Sequence, residues 1–359
     1  MSLLRRFALS TGLLALLLLL LASGASARTF EKAMLGPEYQ NGVSPFPMYQ
    51  ELGVKVVETA LSWPDVATSR PADPTNPNDP AYNWPASFDQ EIAEAQASGV
   101  QVLFYVIFTP SWANGGRDET WAPTDPQDYA NFLIAASRRY PAVKRWMIWG
   151  EPCMAANFKP ITYQKYRHPL TAEQKAQVQR YAILLDDSYA ALKSVDPNNV
   201  VIGGNTWSVC DIRPLDWVQY MRLPSGRPPR LDLYGHNPIG LVNRQPAGLD
   251  PRLHVVEMYD LPRLQRYINR YLVPGNHHPI GLWLAEFFLP TKGNPKTNFA
   301  VSPSQEGPII AKALRVARHT PTVTGFGYAY LYDTGTNGNA GLITTGGRKK
   351  AAYYAFKRG

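Results

Sequence analysis

The chain has 359 residues, 36 basic and 28 acidic side chains, a formal net charge of +8 and 45% hydrophobic residues. That length suits one large domain or two ordinary ones. The basic residues are dispersed apart from short clusters such as GRKK at 347–350, with no Lys/Arg tract and no finger, RNA-recognition or zipper motif, which disfavours a nucleic-acid partner.

In chain order, the first segment reads as a targeting signal. MSLLRRFALSTGLLALLLLLLASGASA runs from Arg5-Arg6 through a leucine-rich core to Ala25-Ser26-Ala27, the order of a secretory signal peptide cleaved after Ala27. A membrane anchor is the alternative, but the apolar run from Gly12 to Ala22 is shorter than the roughly 20 residues that cross a bilayer. Residues 1–27 are therefore expected to be a signal peptide. The expected product, residues 28–359, is secreted, without stable membrane insertion, and monomeric.

The remainder alternates short apolar runs with longer amphipathic ones. KAMLG (32–36) reads as a strand and MYQELG as a short helix ending at glycine. VKVVETAL (54–61) is a strand, followed by a loop dense in Pro, Asp and Asn. SFDQEIAEAQASG is a helix, VQVLFYVIF (100–108) a strand, PQDYANFLIAASRRYP a helix and VKRWMIW (143–149) a strand. The long helix TAEQKAQVQRYAILLDDSYAALKSV precedes the strand NVVIGG (199–204). Next come the helix PLDWVQYMR, the strand RLDLYGH (230–236), the helix LPRLQRYINRYL and the strand PIGLWLAEF (279–287). QEGPIIAKALRVAR is a helix, VTGFGYAYL (323–331) a strand and KKAAYYAFK the closing helix. These strands are continuous apolar runs, the pattern of strands buried on both faces. Eight βα units in this length predict an α/β fold, a single (β/α)8 TIM barrel. A doubly wound open sheet would usually carry a glycine-rich phosphate turn after its first strand, and PEYQNG is not one.

In such barrels chemistry sits at the carboxyl ends of the strands. There the sequence places Glu38 and Tyr39, Ser62 and Trp63, Trp112 and Asn114, Glu151, Asn205 and Trp207, His236 and Asn237, Glu286, and Tyr330 with Tyr332 and Asp333. Glu151 and Glu286 both follow directly from tryptophan-bearing apolar strands. A lone carboxylate against apolar surface is costly unless compensated, and a buried salt bridge is the plain alternative for each. A pair at one barrel mouth, in a ring of aromatics, suits acetal hydrolysis: one carboxyl protonated to donate to the leaving oxygen, the other ionised to attack or stabilise the sugar cation. Crowding separates their proton affinities and so assigns the roles. Glu38, Trp112, Asn205, Trp207, His236 and Tyr330 are the candidate sugar contacts, with core packing the alternative for Trp112, Trp207 and Tyr330 and a packed structural histidine the alternative for His236. Trp146 and Trp283 read as packing.

GVKVVETALSWPDV, GVQVLFYVIFTPSWANG, VKRWMIWGEP, LDLYGHNP, LWLAEF and AGLITTGGRKKAAYYAF stand in the order and spacing of the clan A glycoside hydrolases. The mature chain resembles that clan, which includes families 5 and 39, over nearly its whole length. The resemblance implies a (β/α)8 enzyme that retains anomeric configuration, with Glu151 as acid/base and Glu286 as nucleophile. No cofactor and no metal are expected. Three positions depart from the clan's pattern. Gly150 stands where the clan usually has Asn, Glu58 roughly where an Arg usually supports the nucleophile, and Pro238 where many members place a Tyr.

Cys153 and Cys210 fall in the loops after the fourth and fifth strands, which are neighbours, so a Cys153–Cys210 disulfide is expected beside Glu151. His277 and His278 are adjacent and lie before a strand, so surface residues are expected and not metal ligands. No G-x-S-x-G is present for a serine hydrolase. Two functions remain: a secreted retaining glycosidase acting on poly- or oligosaccharides, and a non-catalytic carbohydrate-binding protein on the same barrel.

Overall fold

The computed structural model describes residues 30–165, 168–239, 254–293 and 299–359; the expected signal peptide lies outside the described residues. The elements in order are β1 (Glu31–Leu35), α1 (Phe46–Leu52), β2 (Val54–Ser62), α2 (Trp63–Val66), α3 (Ala86–Ala97), β3 (Gln101–Ile107), α4 (Pro126–Arg139), β4 (Arg145–Ile148), α5 (Ala172–Val195), β5 (Val200–Trp207), α6 (Pro214–Tyr220) and β6 (Leu233–Asn237). A 3-10 turn (Met258–Asp260) then leads to α7 (Leu261–Tyr271), α8 (Val273–Asn276), β7 (Gly281–Phe287), α9 (Pro303–Arg318), β8 (Val323–Tyr328) and α10 (Ala351–Arg358). All eight strands are parallel and close into a barrel, β1 pairing with both β2 and β8. The expected (β/α)8 fold is therefore the observed one.

Local signals explain the boundaries. Gly53 ends α1 in a left-handed conformation, φ 72°, which a glycine adopts without steric cost. Thr171 and Gln174 form a reciprocal capping box at the start of α5. Asp125 accepts from the Gln127 backbone N–H to start α4. Within the barrel Ala33, Val56, Leu103, Met147, Ile202, Trp283 and Ala285 pack into one buried cluster. One stretch departs from expectation. The loop after β2 begins with the helical turn α2, and Trp63 is 1% exposed, packed against Trp112, Tyr129 and Phe132.

Helix tyrosines tie down the strand ends that carry the site. The Tyr129 hydroxyl of α4 donates to the Val106 carbonyl at 2.7 Å. Tyr181 of α5 donates to the Ile148 carbonyl at 2.8 Å and accepts from the Gly204 N–H at 2.9 Å, joining the ends of β4 and β5. A Cys153–Cys210 disulfide, with Cα atoms 5.5 Å apart, links the loops that follow, as expected. Glu38 closes the β1–β8 seam: its carboxylate accepts from the backbone N–H groups of Leu331 at 2.8 Å and Tyr332 at 3.1 Å.

Two predictions follow from this packing. The disulfide closes a segment with a sequence separation of 57, so replacing both cysteines with serine is expected to lower unfolding free energy by about 2–4 kcal/mol in guanidinium titration. Glu91 on α3 is 3% exposed and hydrogen-bonded to Thr59, and burial pushes its carboxyl up to about 8. The unfolded chain loses this proton near the ordinary value while the native chain keeps it, so stability falls as pH rises between the ordinary value of 4.5 and about 8. Glu91→Gln should be more stable than the parent at pH 8, by on the order of a few kcal/mol, with little difference at pH 4.

Candidate active site

The barrel mouth holds a cavity of about 220 Å³ lined by Leu35, Glu58, Tyr105, Ile107, Phe108, Met147, Trp149, Gly150, Glu151, Asn157, Asn205, Asn237, Ala285 and Glu286. Glu151 arrives there through an unusual backbone. The β3–β4 ladder ends with Trp149 N–H donating to the Val106 carbonyl at 3.0 Å. Trp149 and Glu151 then take left-handed conformations, φ 69° and 47°, on either side of Gly150. Such conformations cost a non-glycine residue on the order of 1–3 kcal/mol and persist only where surrounding contacts fix them. Here the Trp149 indole N–H donates to the Asn157 carbonyl at 2.9 Å, and the Glu151 carbonyl accepts the Met154 N–H at 3.0 Å. Phe108 and Asn205, also lining residues, have φ of 67° and 41°. The main chain therefore carves much of this cavity. At Gly150 a Cβ would meet only the Ile107 side chain, at 3.4 Å, so glycine there leaves space in the cavity that a longer side chain would enter.

Glu286 is turned inward by a local irregularity. Trp283 and Ala285 face the barrel interior, so strict alternation would send Glu286 outward. The β7–β8 register shifts between Leu284 and Phe287, which re-aims the strand end.

Asn237, at the end of β6, joins the two acids. Its Nδ2 donates to Glu151 Oε1 at 2.8 Å and to Glu286 Oε2 at 3.4 Å. With one nitrogen touching both, these oxygens are no farther apart than the two bonds laid end to end, about 6 Å. Asn157 Nδ2 donates to Glu151 Oε2 at 3.4 Å. Burial raises the Glu151 carboxyl above the usual carboxylate range, and the Asn237 and Asn157 hydrogen bonds pull the other way. The two bonds from Nδ2 fix the orientation of the Asn237 amide, so its Oδ1 faces away from the acids; among the described residues neither this oxygen nor the buried Oδ1 of Asn205 has a hydrogen-bond partner.

The other sequence-based candidates fall in different places. Asn205 lines the cavity, while Trp112, Trp207, His236, Tyr330 and Glu38 do not. Trp112 packs edge-on to Trp63, lies under the Arg70 guanidinium and donates to the Ala67 carbonyl. His236 is fully buried, with Nδ1 2.9 Å from Thr206 Oγ1 and Nε2 3.2 Å from the Val256 carbonyl, and burial pushes it down to about 4. A neutral, doubly engaged imidazole packed behind β6 is structural. Glu38 is used by the backbone seam described above. Tyr330 stands near the acids: burial, then the charges of Glu286, Glu38 and Glu151, push its hydroxyl up to about 12. Asn157, Tyr105 and Phe108 are among the lining residues that strand-end inspection did not reach, and Asn237, noted at its strand end, was not chosen as a sugar contact. For Asn237 the signal was present, because it shares the inward parity of Leu233, which packs on the barrel core.

No protein-family model matches the sequence, and no curated protein sequence matches it. Solved structures do. A family 39 glycoside hydrolase from Bacteroides cellulosilyticus WH2 superposes with a TM-score of 0.64 at 17% identity, covering 92% of this chain and 63% of that one. A monomeric beta-xylosidase from Caulobacter crescentus CB15 gives 0.62 at 17% identity, covering 94% and 69%. The catalytic domain of family 30 xylanase C from Talaromyces cellulolyticus gives 0.52 at 15% identity, covering 91% and 74%. The likeness is one of fold, and it runs along nearly the whole barrel.

Asn237→Ala removes the donor that both acids share. Its hydrogen bond lowers the proton affinity of Glu151, so the variant's Glu151 carboxyl, followed by carbon-13 NMR titration, is expected to titrate at higher pH than in the parent.

Proposed function

We propose that this protein is a retaining O-glycoside hydrolase acting on poly- or oligosaccharides, with Glu151 as acid/base and Glu286 as nucleophile. The observation that carries this is the pair of carboxylates held on one amide, their facing oxygens within about 6 Å. Retaining enzymes place the two groups roughly 5–5.5 Å apart, and inverting ones roughly 6.5–9.5 Å, to admit a water. The likeness in fold to family 39 and family 30 glycoside hydrolases supports the same reading.

The chemistry follows from the environments. Burial keeps Glu151 protonated to higher pH than a free carboxyl, so it can donate its proton to the glycosidic oxygen as the C–O bond breaks. Glu286 attacks the anomeric carbon and forms a glycosyl ester. Glu151, now ionised, takes a proton from water, and the resulting hydroxide equivalent displaces Glu286. Asn237 bridges the two carboxylates through its Nδ2, and Asn205 lines the same cavity. The disulfide suits an oxidising compartment and supports export directed by residues 1–27. Among the described residues no helix is long and apolar enough to cross a membrane.

The test is turnover of a panel of aryl glycosides and polysaccharides. NMR of the first-formed sugar is expected to show the anomer of the substrate. Glu151→Gln should reduce kcat/KM by about 10²–10⁴-fold for substrates with poor leaving groups. It should reduce it much less for a dinitrophenyl glycoside, which departs without protonation. Glu286→Gln should lose on the order of 10⁴-fold with every substrate while sugar binding survives. In the parent, kcat/KM for poor leaving groups should fall as pH rises through the raised Glu151 value, since only the protonated acid is active. Binding of oligosaccharides with no cleavage of any panel member would assign the barrel to the carbohydrate-binding reading.

A further inference from the structure

Below Glu286 the barrel interior holds a third carboxyl that the double displacement does not use. Glu58 of β2 is 2% exposed and lines the cavity with Leu35, Tyr105 and Ala285. Its Oε1 accepts the indole N–H of Trp283 at 3.0 Å. Two glycines of β8 make room for this pair. A Cβ at Gly325 would stand 2.2 Å from the Trp283 ring, and one at Gly327 would stand 2.8 Å from Glu58 Oε1 and 2.1 Å from the Ala285 carbonyl oxygen. An alanine at either position would displace the indole, the carboxyl or the β7 backbone.

The charges around Glu58 can be taken element by element. β7 contributes Glu286, whose charge opposes ionisation of Glu58, and Trp283. β3 contributes Tyr105, and the end of β4 contributes Glu151. Arg145, at the start of β4, is the nearby cation; its Nη1 is bonded to Glu31 of β1 at 2.6 Å, and its guanidinium lies over the Trp283 ring, 5.2 Å from the centroid. On the β8 side the titratable group near the acids is Tyr330. Among the described residues Glu58 has no ion pair, and the side-chain donor it meets is the neutral Trp283 indole. An ionised Glu58 would thus be a buried charge with one neutral donor, set behind a second carboxylate, an arrangement that strongly favours the neutral form.

We propose that Glu58 is a positioning residue that works as an uncharged carboxylic acid, keeping the pocket floor neutral and presenting an O–H donor there, so that Glu286 alone carries the nucleophile's charge. This rests on the glycosidase reading of Glu286.

Two measurements test it. The infrared difference spectrum between parent and Glu58→Gln at neutral pH should contain a carboxylic-acid C=O band lost in the variant; Glu58→Met serves equally should the first not fold. Loss of a carboxylate band instead overturns the proposal, whether or not any glycoside is ever cleaved. The second measurement is the pH profile of kcat/KM with a dinitrophenyl glycoside, from which the Glu151 proton drops out. The parent should lose activity at high pH as Glu58 ionises. Glu58→Gln, which cannot ionise, should start up to about tenfold lower and show no such fall. Matching profiles for parent and variant, or a loss of more than about 100-fold in the variant at every pH, overturn it.

Discussion

The site depends on a single amide. Two carboxylates facing one cavity repel each other and lose hydration, and both effects favour neutralising one of them. Asn237 offers one N–H₂ group to both, at 2.8 Å and 3.4 Å, and so holds them at a fixed separation without supplying a charge. A cation in its place would stabilise both ionised forms, whereas the proposed mechanism needs one carboxyl protonated and the other ionised. A neutral donor leaves burial free to act on Glu151. The strand-end bonds from Tyr129 and Tyr181, the disulfide and the β7 irregularity all fix the backbone from which these three side chains project.

The same logic extends downward. The barrel interior is mostly apolar, but its mouth end carries Glu58 on the Trp283 indole, in a space left by Gly325 and Gly327. Three acids around one cavity are tolerable only if protonation distributes the charge among them. Their number is therefore a statement about proton occupancy as much as about residue type.

Much of the architecture was legible in the sequence because strands buried on both faces leave uninterrupted apolar runs between amphipathic helices. Every expected strand corresponds to an observed one, with ends differing by a few residues. The largest extension is β5, which continues through Gly203-Gly204 to Trp207 because the register shifts there and the strand does not stop. Glu151, Glu286, Asn205 and the disulfide were equally visible, since strand ends and neighbouring loops can be located without knowing side-chain direction. Direction is what failed to come through. His236 and Asn237 are consecutive and therefore face opposite sides, and the more chemically familiar residue is the one packed behind the strand. Trp112 likewise stands near the rim by chain position, but its indole N–H is committed to Ala67 and its face to Arg70. Trp149 and Glu151 take left-handed conformations where the strand ends, and no residue type announced them.

That left-handed backbone bears on how the molecule can change. Phe108, Trp149, Glu151 and Asn205 each hold a conformation that glycine would adopt with less strain. Screens for heat-tolerant descendants would be drawn to these positions, because relief of strain is an accessible route to a tougher fold. Each such gain would remove a wall of the cavity or the acid itself. Selection for robustness and selection for chemistry therefore pull on the same few residues in opposite directions.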